Sequence, residues 1–240
     1  MKFYYDLHVH STLSPCGDED NTPNNICGMA SLCGIKILAL TDHNTAKNCP
    51  AFFHAARKYD IIPIAGMELT TSEDVHIVCL FENLDDALSF DKYVEENRMK
   101  IKNRPEIFGN QTIMNENDEP IGEVADLLIN ASNISCDEVS SIVSSFGGIC
   151  YPAHIDRDAN GIIAVLGTIP DCGFSFYELH DSKNIDEYSE RYAIPKDRFI
   201  ISSDAHYLTD MRDGECFFDL ECDEKTEDAI RHAFFDYLRR

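Results

Sequence analysis

Residues 6–10 read DLHVH, closing the apolar opening FYYDLHVH of residues 3–10. In an extended strand the side-chain period is two, so His8 and His10 leave one face and can hold one metal ion between them. A lone HxH says little. Its weight here comes from recurrence, because apolar runs elsewhere end in Asp42 and His43, in Glu68, in His154, in Glu178 and His180, and in Asp204 and His206. Six of the nine histidines directly follow strand-like runs, a distribution that packing does not account for.

Outward from DLHVH the chain alternates strand and helix. A polar loop, TLSPCGDEDNTP (12–23), ends in Thr22, a predicted N-cap, with Pro23 at the first helical position and Gly34 ending that helix. KILALTDH (36–43) reads as a strand and is followed by a helix opening at Pro50. IIPIAGMELTT (61–71) and VHIVCLF (75–81) read as further strands. Alternation at this spacing predicts βα units around a parallel sheet, in which functional groups gather at the C-terminal strand ends. His76 stands apart because it precedes its apolar run. It reaches the same mouth only if that strand runs antiparallel or begins near the mouth.

From Asp85 the character changes. Residues 85–102 read as an amphipathic helix, 110–122 as two short strands around a polar turn, and 122–132 as a helix. Ser135 and Glu138 form a capping box for a helix closed by Gly147. The segment 85–135 is read as an insertion or lid within a single domain covering 1–240. Strand-like runs resume at GGICYPAH (147–154), FSFYELH (174–180) and FIISSDAH (199–206), and a helix over 226–240 closes the chain. No internal repeat or long linker divides it.

Composition narrows the function classes. The ten cysteines include no CxxC pair, and several, such as Cys79 and Cys150, sit inside apolar runs, so they read as reduced core thiols. The start of the chain has no secretory signature, and no stretch approaches a membrane span, so the expected location is cytoplasmic. A formal net charge of −23 disfavours a sequence-independent grip on long nucleic acid, which is held mainly by Lys and Arg. It suits a carboxylate-rich pocket for divalent cations. Imidazole and carboxylate without thiolate suit Mn, Fe or Zn, and so many ligands imply more than one ion bridged by a carboxylate. Asp42 either N-caps the following turn or orients a ligand histidine from behind. His54 and His232, both within helical stretches, read as surface or internally satisfied histidines.

Taken in order, DLHVH, the loop SPCGDED with Asp18, ALTDHN, GMELT, VHIVCLF, YPAHIDR and SSDAH resemble the polymerase and histidinol phosphatase (PHP) family of metal-dependent phosphoesterases. The resemblance spans residues 6–206. It implies an α/β fold, a distorted (β/α)7 barrel with a small inserted lid-like segment, holding two or three divalent metal ions. Carried over, His8, His10, Glu68 and Asp204 hold one ion, and Asp18, His43 and His206 surround a second. Glu68 bridges to a third held by His76 and His154. Asp20 or Glu19 is an alternative to Asp18.

The chemistry expected of such a cluster is attack of metal-bound hydroxide on a phosphate ester, with the ions stabilising phosphoryl charge. Glu68 and Asp204 are the candidate catalytic carboxylates, and His180 or Asp204 the candidate proton donor. Arg157 is either a phosphate clamp or a solvated loop arginine, and Glu178 either supports a ligand or belongs to a lid. The expected substrate is a small phosphorylated metabolite or nucleotide. Histidinol phosphate and short oligonucleotides attacked 5′ to 3′ are the alternatives. From other classes come a non-catalytic metal-stabilised regulatory module and a C–N hydrolase. A basic stretch, RMKIKNR (98–104), is the one feature that runs against the exclusion of nucleic acid.

Overall fold

A computed structural model of the chain describes residues 1–222, 224 and 226–240. Its first half is β1 (Lys2–Asp6), α1 (Pro23–Leu32), β2 (Ile37–Leu40), α2 (Cys49–Lys58), β3 (Ile62–Thr70), β4 (His76–Phe81) and α3 (Leu84–Asn97). The second half holds α4 (Pro105–Phe108), β5 (Thr112–Met114), β6 (Pro120–Glu123), α5 (Cys136–Ser145), β7 (Ile149–Pro152), α6 (Ile162–Leu166), β8 (Tyr177–Leu179), α7 (Ile185–Tyr192), β9 (Phe199–Ile201), β10 (Phe217–Asp219) and α8 (Glu227–Leu238). Thr22 caps α1 by accepting the Asn25 N–H, and Gly34 and Gly147 take positive φ just beyond α1 and α5.

This is an α/β fold with a curled sheet. Six strands lie in the order β10-β1-β2-β3-β4-β7. β1, β2 and β3 are parallel, whereas β4 runs antiparallel to both β3 and β7. β8 and β9 form a separate parallel pair. Hydrogen bonds tie that pair to both ends of the curl: Ala205 N–H donates to His8 O and His10 N–H to Ala205 O, while Ile155 N–H donates to Glu178 O.

Strand alternation then decides what lies inside. Phe3, Tyr5 and Leu7, Ile37 and Ala39, Ile62 and Ile64, Val78 and Leu80, and Tyr151 share one buried cluster with Ile230, Phe234, Phe235 and Leu238 of α8. The period of two carries that same face on to His43, Glu68, His76, Glu178 and Asp204. In β1 and β7 the parity shifts by one, so that His8 follows Leu7 and His154 follows Ala153 onto the inner face. The opposite face packs Leu38, Leu40 and Met67 against Ile26, Phe52, Phe90 and Val139 of the surrounding helices.

Two helical expectations fail. The helix predicted over 85–102 ends at Asn97, because residues beyond it pair antiparallel with 125–132: Met99 N–H donates to Ala131 O, Leu127 N–H to Ile101 O and Asn103 N–H to Ala125 O. The same pairing pulls 122–132 out of the predicted helix. α3 itself belongs to the main layer, with Ala87, Phe90 and Val94 buried in the core. Residues 98–134 connect α3 to α5. All ten cysteines are free.

Candidate metal centre

Glu68, on β3, is ringed by five imidazoles. Its Oε1 lies 2.8 Å from His76 Nδ1, 3.1 Å from His154 Nε2 and 3.3 Å from His8 Nε2. Its Oε2 lies 2.9 Å from His43 Nδ1 and 3.4 Å from His10 Nε2. Asp204 Oδ1 closes the group at 3.3 Å from His8 Nε2 and 3.2 Å from His10 Nε2. β4 delivers His76 because it is antiparallel, so its first residue sits where its neighbours finish. His43 reaches Glu68 because Asp42–Asn44 prolongs β2 beside β3, with Glu68 N–H donating to Asp42 O and Asn44 N–H to Glu68 O. His154 and Asp204 both hold positive φ, 29° and 52°, a left-handed turn that non-glycine residues rarely take.

The supporting groups fix which ring nitrogen faces inward. His8 Nδ1–H donates to Glu178 Oε1 at 2.9 Å, leaving Nε2 for the centre. His10 Nδ1–H donates to Ser14 Oγ at 2.9 Å, whose hydroxyl in turn donates to Asp42 Oδ1 at 2.8 Å. Asp42 also accepts the Ser11 N–H and hydroxyl, so it braces His10 from behind. His206 Nδ1–H donates to the Asp204 carbonyl at 2.9 Å.

Electrostatics follow from this crowding. Burial opposes charge on Glu68, yet His76, His8 and His43 hold its carboxyl well below the usual carboxylate range. Burial opposes Asp204 as well, and His8 with the His10 hydrogen bond outweighs it, again leaving the carboxyl ionised. His8 is raised despite burial, by Glu178, Glu68 and Asp204. His10 is lowered by burial and by its neighbours His206 and His43.

Metal ions fit this donor set. His8 Nε2, His43 Nδ1, Glu68 Oε2, His154 Nδ1 and Glu178 Oε2 are buried without a hydrogen-bond partner. His43 Nδ1 and Glu68 Oε2 stand 2.9 Å apart yet are not aligned to bond each other, as expected of two donors aimed at a third atom. Among the described residues three groups bring ligand atoms within 4.8 Å of one another: His8, His10, Glu68 and Asp204; His10, His43 and His206; and His43, Glu68 and His76. Asp18 joins none of them, because its carboxylate turns away to accept the Asp20 N–H. Glu19 accepts from Asn110 instead.

At the rim, Arg157 donates to Asp204 Oδ2 and its Nη2 lies 3.0 Å from His180 Nδ1. Arg212 donates to the His180 carbonyl at 2.6 Å, and its Nη2 lies 2.9 Å from His180 Nε2. Burial and these two guanidinium groups lower the His180 pKa. The expected proton donor is thus an imidazole that two cations keep neutral. Arg212 went unread in the sequence because MRDGE follows no apolar run. His54 and His232 lie outside the centre; His232 Nδ1 bonds Glu82 on the surface.

The PHP domain family matches residues 6–159, over half of the chain. The chain belongs to this family. Among curated relatives, this PHP domain is 33% identical over 89 residues to a PolC-type DNA polymerase III of Streptococcus suis, covering 37% of this chain and 6% of the polymerase. It is 35% identical over 91 residues to a 5′-3′ exoribonuclease of Haemophilus influenzae, covering 37% of this chain and 29% of that protein. Among solved structures, the lesion-specific endonuclease Q of Pyrococcus furiosus aligns with a TM-score of 0.64 at 19% identity, covering 97% of this chain and 56% of that one. A structure from Bifidobacterium adolescentis, assigned as a metal-dependent phosphoesterase, aligns at 0.58 and 17% identity over 96% and 95%. The chain thus spans little more than half of endonuclease Q, and its match covers about half or less of each curated relative.

These likenesses overturn the expectation of a small phosphorylated partner with long nucleic acid disfavoured. The fold is shared with an endonuclease Q solved on a 27-mer duplex with an abasic lesion at its active site. The physical error lay in using net charge: it sums over the whole surface, whereas a strand is held by the few groups that touch it. Among the described residues no helix is long and apolar enough to cross a membrane.

Proposed function

We propose that this PHP domain is a metal-dependent phosphodiesterase acting on nucleic-acid strands. The observation that carries this reading is the cluster itself: His8 Nε2, His10 Nε2, Glu68 and Asp204 converge within 3.2 to 3.4 Å, with buried donor atoms left unpaired. In our reading these four would hold one ion, His43 and His206 with His10 a second, and His76 and His154 with Glu68 a third. Mn, Fe and Zn all suit these ligands. Divalent ions in such a set supply an activated water and neutralise charge on a phosphoryl group.

The protein's own part is positioning. Glu68 and Asp204 stay ionised and hold the inner donors in register. Arg157, released from Asp204, presents a planar fork to a phosphoryl oxygen, and Arg212 stands behind His180 as a second donor. With Asp204 ionised and His180 neutral, neither carries a proton for the leaving group at neutral pH, so solvent at the mouth supplies it. We further infer that the hydrogen bonds from Ala205 and Ile155 close β1–β4, β7, β8 and β9 into a distorted (β/α)7 barrel. The whole chain is then one domain, with 98–134 as its lid-like insertion.

The test is elemental analysis of the purified protein alongside a cleavage screen with Mn restored. Its substrates are 5′-labelled single-stranded RNA and DNA, duplex DNA with an abasic site, and a small activated phosphodiester. Cleavage of a strand is the expected result, and stepwise release from the labelled end identifies a 5′-3′ exonuclease. Stoichiometric metal with no phosphodiester cleaved overturns the reading.

A further inference from the structure

The molecule is strongly acidic, yet RMKIKNR (98–104) concentrates cations on the inserted segment. Arg98 is buried, with Nη1 donating to Asp126 O. Lys100, Lys102 and Arg104 are exposed. The three fall within five consecutive residues, 100–104, whose backbone is anchored to 125–131 by the hydrogen bonds of Met99, Ile101 and Asn103. Among the described residues none of the three pairs with a carboxylate, whereas Lys36, Lys47 and Lys196 all do.

A groove of about 670 Å³ lies against this stretch, lined by Lys102, Asn103, Arg104, Glu106, Phe108 and Asn130 among others. The Arg104 guanidinium stands 5.9 Å from the Phe108 ring centroid. Asn103 is only 8% exposed, and its Oδ1 has no hydrogen-bond partner; Asn130 Nδ2 is likewise buried and unpaired. The groove is also fastened to the metal centre. Asn44, the neighbour of His43, donates to Leu128 O at 2.6 Å and Asn130 O at 3.0 Å. Gly109, at the end of α4, packs on the Pro15 backbone with no room for a Cβ, and Thr112 N–H donates to Thr12 O in the loop after His10.

We propose that this groove binds the single-stranded part of a nucleic-acid substrate, with Lys100, Lys102 and Arg104 on successive phosphates and Phe108 under a base. Clustered cations beside an aromatic face are the arrangement that holds unpaired strands, since every base offers a π-face and every linkage a charge. Buried amide groups in the wall suit base edges, which only an unstacked strand presents. The proposal rests on the nuclease reading for what becomes of the strand.

The experiment is fluorescence anisotropy of the full chain in EDTA with a labelled oligothymidylate of about 16 nucleotides. Lys100→Glu, Lys102→Glu and Arg104→Glu combined are expected to weaken binding at least about tenfold and to flatten the salt dependence by about two in log–log slope, from about 0.7 per cation. Phe108→Ala is expected to weaken it about fivefold or more. Arg191→Glu with Lys196→Glu, which removes two cations elsewhere, leaves it unchanged. Thermal melting confirms that each variant is folded. Equal binding by the triple variant and the wild type overturns the proposal. So does a patch that captures anionic phospholipid vesicles but no oligonucleotide, which would make it a lipid-facing surface. Cleavage of a small phosphodiester by the wild type with Mn is read in parallel. Failure there, with oligonucleotide binding lost in the triple variant, refutes the nuclease reading and leaves the groove standing.

Discussion

The inner face of the sheet has two halves built from the same strands. In one, Phe3, Tyr5, Ile64 and Leu80 meet Phe234 and Phe235 of α8, and apolar contact dominates, with the Tyr5 hydroxyl accepting the Ile201 N–H. In the other, a few residues further along, His43, Glu68, His76 and Asp204 meet one another with several buried atoms unpaired. The first half stabilises the chain by itself, at about 1.5 to 3 kcal/mol for each large apolar side chain. The second is a desolvated charge cluster that opposes folding until cations bind. Folding and function are therefore separable along a single strand, and substitutions in the two halves should fail in different ways.

The largest effect is expected at Glu68. Glu68→Gln removes the shared carboxylate and should lower phosphodiester cleavage by about a thousandfold or more, while circular dichroism shows the chain still folded on its apolar half. Residual activity near the wild-type level would break the division between the halves. Next is Phe234→Ala, expected to destabilise by about 3 to 5 kcal/mol in denaturant titration, with metal content per folded chain unchanged. Metal lost from protein that is still folded would show that the apolar half holds the ligands in place.

Glu178→Gln sharpens the boundary, because that carboxylate braces two ligands from behind, accepting the His8 Nδ1–H and the His154 N–H. Metal affinity read by chelator competition should fall about 10- to 100-fold. The smallest effect concerns His180, whose pKa is lowered by burial and then by Arg157 and Arg212. The native state refuses a proton that the unfolded chain takes up below about pH 6.5, so stability is present above that value and lost as the pH falls through it. His180→Gln should show a shallower loss of melting temperature between about pH 7 and pH 5. Parallel curves for the two proteins would sink that assignment.

The sequence made legible whatever follows from alternation. His8, His43, Glu68, Asp204 and His206 each terminate an apolar run, and the structure brings them to one mouth, with His76 placed by the antiparallel β4. What depends on pairing across the chain was not legible. Residues 98–102 have a helical pattern, but the strand-like partner at 125–132 outweighs it, and nothing local to either stretch announces the other. Arg212 and Ser14 act through hydrogen bonds that have no periodicity. Asp18 sits in an acidic loop where three carboxylates compete for one role, and only the backbone turn decides that it faces its own loop. Charge was legible only in part: the basic stretch RMKIKNR stood out against the total of −23, but that Lys100, Lys102 and Arg104 are exposed shows only in the fold.

The order in which the donors occur along the chain bears on how the protein matures. His8, His10, His43, Glu68 and His76 are all synthesised within the first 76 residues, on consecutive strands. Asp204, which contacts His10 at 3.2 Å, follows it by 194 residues. Contacts between such distant residues form late, because the chain entropy lost in closing so long a loop must be met before the contact stabilises anything. A newborn chain therefore offers an incomplete set of ligands until its last strands dock against the first. Metal uptake during refolding should accordingly lag behind collapse of the apolar half, making the bound ion a marker of a finished molecule.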